Sequence, residues 1–414
     1  MAEALSVTRE EVVAAAARIA GAVLETPLVE ARIDGRRWWL KCECLQTGGA
    51  FKLRGASNRL LQLDAEEHAR GVVAFSSGNH AQGVAIAAQR LGISAIILMP
   101  NDAPALKVAG TRAYGAEVQF FDRYHDDRVA MAAALAGKTG ATVVPAFDDV
   151  HIVAGQGTVG LEVAAQLEAL GKAPPTRFVV PCGGGGLASG VALACPDASI
   201  TVVEPEGWDD MAHSLAAGTI IPVPPDPPPT LCDALQTMHV SPITLSILTA
   251  RKATALIATD AEVEVAMRWA WRTHQLTVEP GGAAGLAAVL AGRVAHSESA
   301  VIILSGGNVD PALHARIVGE PQLDAVREDP GDSCAGELRS TARVSSSSSA
   351  ARICNSAASA LGSMLSRLSD ASSKVSSIIE MHGRIVSSIR SNASSSRLCC
   401  WSMLVTSRLS GRQG

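Results

Sequence analysis

A chain of 414 residues is long enough for two or three domains, and with 48% hydrophobic residues it can bury a sizeable core. A charged fraction of only 18%, a net charge of -5 and the lack of a basic patch argue against nucleic acid as the main partner. The start, residues 1–18, lacks the regions of a secretory signal, and the longest apolar runs (95–100, 301–304) have strand length rather than membrane-spanning length, so a cytoplasmic protein with no membrane partner is expected.

In chain order, the first feature is Cys42 and Cys44 flanking Glu43. On a strand, these alternate residues would share one face as small buried hydrophobes in a reducing cytoplasm. The 9 cysteines of the chain show no metal-ligand spacing. From there to about residue 320, short β-branched runs alternate with alanine-rich stretches. The pattern predicts strands over 71–75, 95–99, 117–121, 178–181, 200–203 and 301–304. Helices are predicted over 80–91, 126–137, 157–170, 260–274 and 282–290, with a closing helix over 312–318. Strands apolar on both faces and alternating with helices indicate parallel sheets of the α/β class. The proline-rich stretch 222–229 reads as a surface connection.

Beyond about residue 320 the character changes. About 25 of the 84 residues from 331 to 414 are serine, a bias typical of segments that cannot bury a stable core. The segment 321–414 is therefore expected to be a disordered or non-native tail, arising from an altered reading frame, that adds nothing to catalysis. Truncation after about residue 329 would leave turnover intact. A folded helical extension is the alternative, since 357–368 and 372–389 have some apolar spacing.

Four glycine-rich turns each follow an apolar strand or open a helix: Gln46-Thr-Gly-Gly-Ala-Phe-Lys-Leu-Arg-Gly55, Ser76-Ser-Gly-Asn-His80, Pro181-Cys-Gly-Gly-Gly-Gly-Leu187 and Leu304-Ser-Gly-Gly-Asn-Val-Asp310. In open α/β sheets ligands sit at the carboxyl ends of strands, so these turns are expected to face one crevice. The run Gly183 to Gly186 lets successive N–H groups point at one anion, reinforced by the helix that follows. No Lys-Ser/Thr follows, which excludes a P-loop, and contiguous glycines fit a dinucleotide fingerprint poorly. Taken alone, the run could also be a flexible turn. Lys52 is expected at a helix N-terminus, where the dipole favours anions. That mismatch lowers an amine's pKa and suits Schiff-base chemistry; a solvated surface lysine is the alternative for the residue taken alone.

Together these strings resemble the fold-type II family of pyridoxal-phosphate enzymes, in the branch holding threonine/serine dehydratases and serine racemase. The resemblance runs from Thr26-Pro-Leu28 to Val309-Asp310 and includes Ala113-Tyr-Gly-Ala-Glu117, Ala154-Gly-Gln-Gly-Thr158 and Glu279-Pro-Gly-Gly-Ala-Ala284. It implies two open parallel-sheet domains of the tryptophan-synthase-β-like class with the cofactor in the crevice between them. The large domain would be 1–48 and 149–320, the small substrate-side domain 49–148. A homodimer or higher homo-oligomer acting on a small amino acid is expected.

By the same resemblance, Lys52 carries pyridoxal phosphate as a Schiff base and later moves the substrate's α-proton. Phe51 packs on the cofactor ring, and Asn79 hydrogen-bonds its phenolic oxygen. Gly183, Gly184, Gly185 and Gly186, with Leu187, bind the phosphate, while Ser305 faces the pyridine nitrogen. The turn Ser76, Ser77, Gly78, Asn79 and His80 holds the substrate carboxylate, His80 itself being structural. A hydroxyl partner such as Ser305 leaves the pyridine nitrogen largely unprotonated, a weaker electron sink that suits loss of a β-leaving group. Ala50 departs from the serine many relatives place before Phe-Lys, and Cys182 from a common valine. Glu204-Pro-Glu-Gly-Trp-Asp-Asp210 resembles the Mg²⁺ or Ca²⁺ loop of the racemase branch, which implies Glu204, the Trp208 carbonyl and Asp210 as oxygen ligands; a solvated acidic turn is the alternative.

The expected function is dehydration and deamination of L-threonine or L-serine to a 2-oxo acid and ammonia. Ser77 keeps open a serine racemase, in which it would serve as the acid/base opposite Lys52, and a dehydratase of 3-hydroxyaspartate or 3-phenylserine. A non-catalytic binding protein would require loss of the lysine or the glycine loop, and both are present.

Overall fold

In the computed structural model of the protein, the described residues are 7–76, 78–103, 105–122 and 125–319. Ser77 and the serine-rich tail 321–414 lie outside them.

The chain opens with α1 (Arg9–Ile19), where the Thr8 hydroxyl accepts the Glu11 N–H and the Glu11 carboxylate accepts the Thr8 N–H. Strands β1 (Leu28–Ile33) and β2 (Arg36–Lys41) follow as an antiparallel hairpin. Its turn is Asp34-Gly35, both at positive φ, the dipeptide that two-residue hairpins favour. Then come α2 (Lys52–Leu60), α3 (Ala65–Arg70), β3 (Val72–Phe75), α4 (Asn79–Leu91) and β4 (Ala95–Pro100). Next are α5 (Ala105–Ala113), β5 (Glu117–Phe121), α6 (Arg128–Thr139), β6 (Thr142–Val143) and α7 (Val150–Ala169). They lead to β7 (Arg177–Pro181), α8 (Gly186–Ala194), β8 (Ser199–Pro205), α9 (Asp210–Ala217), α10 (Pro242–Ala250) and β9 (Thr254–Ala258). The last elements are α11 (Asp260–His274), α12 (Pro280–Leu290), β10 (Ala300–Ile303) and α13 (Pro311–Gly319).

These strands make two sheets. The smaller, β5-β4-β3-β6, is parallel throughout. The larger, β1-β2-β10-β7-β8-β9, is parallel except for the β1–β2 pair at its edge. The protein is thus an α/β protein with two parallel-sheet domains, and the edge hairpin is the one departure from the expected all-parallel pairing. Strands β3 to β6 lie within 49–148 and the others within 1–48 and 149–320; dividing the remaining segments along those bounds is a proposal.

Helices cover both faces of each sheet, which is why the inner strands read as continuous apolar runs. On β7, Phe178 and Val180 pack with α1, α7 and α8, while Val179 packs with α11 and α12. On β3, Val72 and Ala74 pack toward α4, and Val73 toward Phe121 and Ala132.

Helix α7 begins at Val150, seven residues before the expected start, capped by the Asp149 carboxylate, which accepts from the His151 and Ile152 N–H groups. Its first turns contain Gly155 and Gly157, which serve close packing. A Cβ at Gly155 would meet the Cα of Gly55 on α2 at 2.6 Å, and one at Gly157 the carbonyl of Gly190 on α8 at 2.6 Å. Helix α7 therefore holds the two helices whose N-termini carry Lys52 and the glycine loop.

Neither Cys42 nor Cys44 is on a strand. β2 ends at Lys41, and the chain then makes a 3-10 turn over Glu43–Leu45, drawn in by the ion pair of Glu43 with Arg54. Both thiols are nonetheless buried in the same core cluster. The 222–229 stretch forms no regular element and is mostly exposed, with Val223 buried.

Candidate active site

The loop before α2 is tied to the end of β10: the Phe51 N–H donates to the Ser305 carbonyl at 3.2 Å, and Ala50 forms an antiparallel bridge with Gly306. This places Lys52, the first residue of α2, at the carboxyl end of the larger sheet. Its side chain is half-buried, with Nζ 5.1 Å from the Phe51 ring centroid and donating to the Ala146 carbonyl at 2.8 Å. Loss of hydration draws its pKa from 10.5 to about 8. Ser305 is buried beside it.

The glycine run follows β7 and opens α8. Gly185 is the N-cap, at φ 84, a conformation that favours glycine. Side chains at the middle of the run would collide with its walls: the Phe147 ring overlaps a Cβ at Gly184 and Met211 one at Gly185, while the Leu235 backbone crowds Gly183 at 3.3 Å. Leu187 is buried in the first turn of α8. The loop is therefore a bare backbone cradle at a helix N-terminus, where unpaired N–H groups and the dipole favour an anion.

At the end of β3, the Ser76 N–H donates to Leu98 and its Oγ accepts the Gly78 N–H at 3.2 Å. Gly78 is the N-cap of α4, so Asn79 and His80 stand in the first turn. His80 is buried; its Nε2 faces the Val144 carbonyl at 2.9 Å, an acceptor that assigns the proton there, and Nδ1 has no partner. Burial, with the nearby Lys52 charge, lowers its pKa to about 3, so the ring is neutral.

Asn79 lies in a polar chain. Its Nδ2 donates to Glu279 Oε1, and its Oδ1 accepts from Asn308 Nδ2 at 2.8 Å. Glu279 is 1% exposed, its Oε2 has no partner, and burial raises its pKa to about 7. Lys107, buried, is ion-paired with Asp233 and lies 3.4 Å from where a Cβ on Gly78 would stand. Sequence reasoning gave no role to Glu279 or Asn308, although both sit in its glycine-rich strings. Helix α12 starts two residues before the expected 282, at Pro280 with Glu279 as its N-cap, so Glu279 stands at a helix start that the sequence reading did not place there.

In the acidic loop, both oxygens of Glu204 accept backbone N–H groups, from Met211 at 2.9 Å and Ala212 at 2.8 Å. Both Asp210 oxygens are buried without a partner. Burial raises Glu204 to about 8 and Asp210 to about 7. The Trp208 ring is pinned by its Nε1–H donating to Pro228 at 2.8 Å. No group of three His, Cys, Asp or Glu among the described residues could hold a metal, but the expected set has two carboxylates and a carbonyl. Two desolvated carboxylates, one with orphaned oxygens, fit a hard cation.

These residues fit pyridoxal phosphate: a desolvated lysine amine, a glycine-backbone anion cradle at a helix N-terminus, and buried polar atoms without partners at His80 and Glu279. Residues 3–306 match the family described as "Pyridoxal-phosphate dependent enzyme". An L-threo-3-hydroxyaspartate ammonia-lyase of Pseudomonas sp. is 41% identical over 317 residues, spanning 74% of this chain and 97% of that protein. A serine racemase of Schizosaccharomyces pombe is 38% identical, spanning 76% of this chain and 98% of its own. The solved structure of maize serine racemase superposes with TM-score 0.70 at 37% identity, spanning 75% of this chain and 96% of that one. No helix among the described residues is long and apolar enough to cross a membrane.

Proposed function

The chain belongs to the pyridoxal-phosphate dependent enzyme family, and on that premise we propose that it is an ammonia-lyase eliminating water from L-threonine or L-serine to give a 2-oxo acid and ammonia. The observation that carries this is the position of Lys52: a half-buried amine lowered to about 8, at the carboxyl end of the sheet beside Ser305. Relatives named as ammonia-lyases support the reaction class. Bound here, the cofactor supplies the electron sink for the substrate's α-carbon.

In this reading Lys52 carries the cofactor and moves the α-proton, and Phe51 packs on the ring. Gly183 to Gly186 and Leu187 hold the phosphate. Asn79 donates to the phenolic oxygen, and Ser305 stands at the pyridine nitrogen, leaving it unprotonated. The α4 N-terminus, from Ser76 to His80, takes the substrate carboxylate. Since the Gly78 N–H is already used by Ser76 Oγ, the carboxylate is left to later N–H groups of that turn. His80, neutral and tied to Val144, holds the turn in place.

A racemase is the second reading, favoured by Ser77 and by the serine racemase relatives. Ser77 would protonate the face opposite Lys52. The loaded protein is incubated with serine, threonine, 3-hydroxyaspartate and 3-phenylserine, and 2-oxo acid, ammonia and the chirality of the remaining amino acid are measured. Ammonia and 2-oxo acid in equal amounts support the lyase. Inverted serine without ammonia replaces it by the racemase, and ammonia from 3-hydroxyaspartate or 3-phenylserine alone moves the substrate to that amino acid. The proposal also includes Mg²⁺ or Ca²⁺ on Glu204, the Trp208 carbonyl and Asp210, for which chelation lowers the melting temperature and added cation restores it; an unchanged melting curve refutes it. A homodimer or higher homo-oligomer in the cytoplasm completes the reading, and light scattering at the monomer mass would contradict the assembly.

A further inference from the structure

Two side-chain amides and a buried carboxyl meet where the first and fourth glycine-rich turns come together. The order of atoms in that chain is set by the backbone. Asn308 Nδ2 lies 2.7 Å from the Gly48 carbonyl, an atom that can only accept, so nitrogen rather than oxygen must stand there. The same nitrogen lies 2.8 Å from Asn79, whose facing atom must then be Oδ1. The other end of the Asn79 amide, Nδ2, is thereby turned to Glu279 Oε1. Amide orientations are otherwise ambiguous; here one carbonyl fixes both. The second hydrogen of Asn79 Nδ2 has no acceptor among the described residues.

Two glycines make room for this chain. A Cβ on Gly306 would overlap Glu279 Oε1 and crowd Asn79 Nδ2 at 3.1 Å, and one on Gly49 would overlap Asn308 Oδ1. The requirement for glycine in these turns is thus to admit Glu279 and Asn308. The residues joined are far apart in sequence: 200 positions separate Asn79 from Glu279, and 229 separate it from Asn308.

We propose that Glu279 and Asn308 are positioning residues that lock the Asn79 amide with its nitrogen presented, so that Asn79 can only donate to the cofactor's phenolic oxygen. The inference rests on the pyridoxal-phosphate reading of the cleft. A donor there favours the ionised phenolic oxygen, and an acceptor would favour its protonated form.

The test uses substrate-free protein loaded with pyridoxal phosphate, reading the absorbance of the bound cofactor and its dissociation constant. Asn308→Asp offers only acceptors to Gly48 and Asn79, so the Asn79 amide must turn over. The bound cofactor is expected to shift from its long-wavelength to its short-wavelength band and to bind about tenfold more weakly, the effect of one misdirected buried hydrogen bond. Glu279→Leu removes one of the two contacts that hold the amide while Asn308 still directs it, so a smaller shift in the same direction is expected. Glu279→Gln keeps an acceptor oxygen and retains the wild-type spectrum, a rescue that simple loss of packing would not show. Asn308 is half-buried, so its variant decides the matter even if Glu279→Leu does not fold. A wild-type spectrum and affinity in Asn308→Asp overturns the proposal, as does a shift in Glu279→Gln equal to that in Glu279→Leu. If wild-type protein shows no bound-cofactor band at all, the pyridoxal-phosphate reading fails instead.

Discussion

Helix α2 separates two ways of burying charge. On one side, Arg54 is fully buried and every bond finds a partner: Nε and Nη2 bind the Glu43 carboxylate at 2.8 and 2.9 Å, while Glu162, Thr158 and the Leu24 carbonyl take the rest. Lys41 joins through Glu162, Gln166 and the Thr26 carbonyl. On the other side, Lys52 donates to the Ala146 carbonyl and lies near His80, whose Nδ1 is buried without a partner, as is Glu279 Oε2. A satisfied network fixes the helix, whereas buried polar atoms without partners mark where a ligand is expected. The pKa shifts follow: Glu162, held by Arg54 and Lys41, stays below the usual carboxylate range despite burial, while Glu279 rises to about 7.

The largest effect is expected at Arg54. Arg54→Ala leaves the buried Glu43 carboxylate without its guanidinium partner, with Glu162 still held by Lys41, and is expected to destabilise the protein by about 3–5 kcal/mol, read from denaturant unfolding. A loss under about 1 kcal/mol would mean that the network does not fix α2. On the ligand side, Gly184→Asp brings a side chain into the Phe147 ring and a negative charge into the anion cradle. Cofactor affinity should drop roughly 100-fold, about 3 kcal/mol, measured by absorbance titration. Unchanged affinity would move the phosphate elsewhere.

A finer contrast lies in pH. Glu279 has a folded pKa of about 7 against an ordinary 4.5, because burial outweighs the Lys107 charge and the Asn79 bond, with Asp233 adding to the rise. A raised folded value means that its contribution is fully present below pH about 4.5 and is lost as pH rises through about 7. Between those values, cofactor-free wild type should lose on the order of 1–3 kcal/mol relative to Glu279→Gln, which has no such titration. Parallel stability profiles of the two proteins would contradict this.

Much of this was legible in the sequence, for physical reasons that also explain the gaps. β7 and β10 are buried on both faces and announce themselves as apolar runs. β1 and β2 are not: the hairpin lies at a sheet edge, and exposed Arg36 and Arg37 precede buried Trp38 and Trp39 without alternation. The Asp34-Gly35 turn was the available signal. Lys52 and the glycine loop could be read because each is local, a helix start or a turn. Glu279 and Asn308 could not, since their partners lie across the fold, and the sequence shows neither the Gly48 carbonyl nor the buried setting that gives them a role.

The half-buried amine of Lys52, rather than the buried, ion-paired amines of Lys41 and Lys107, is expected to carry the cofactor. Borohydride reduction of the loaded protein, followed by digestion and peptide mass analysis, tests it directly. The label should fall on the peptide holding Lys52, and Lys52→Ala should lose both label and visible absorbance, with turnover down by about 10³-fold or more. Label on Lys41, which is bound to Glu162, or on Lys107, which is bound to Asp233, would contradict the account.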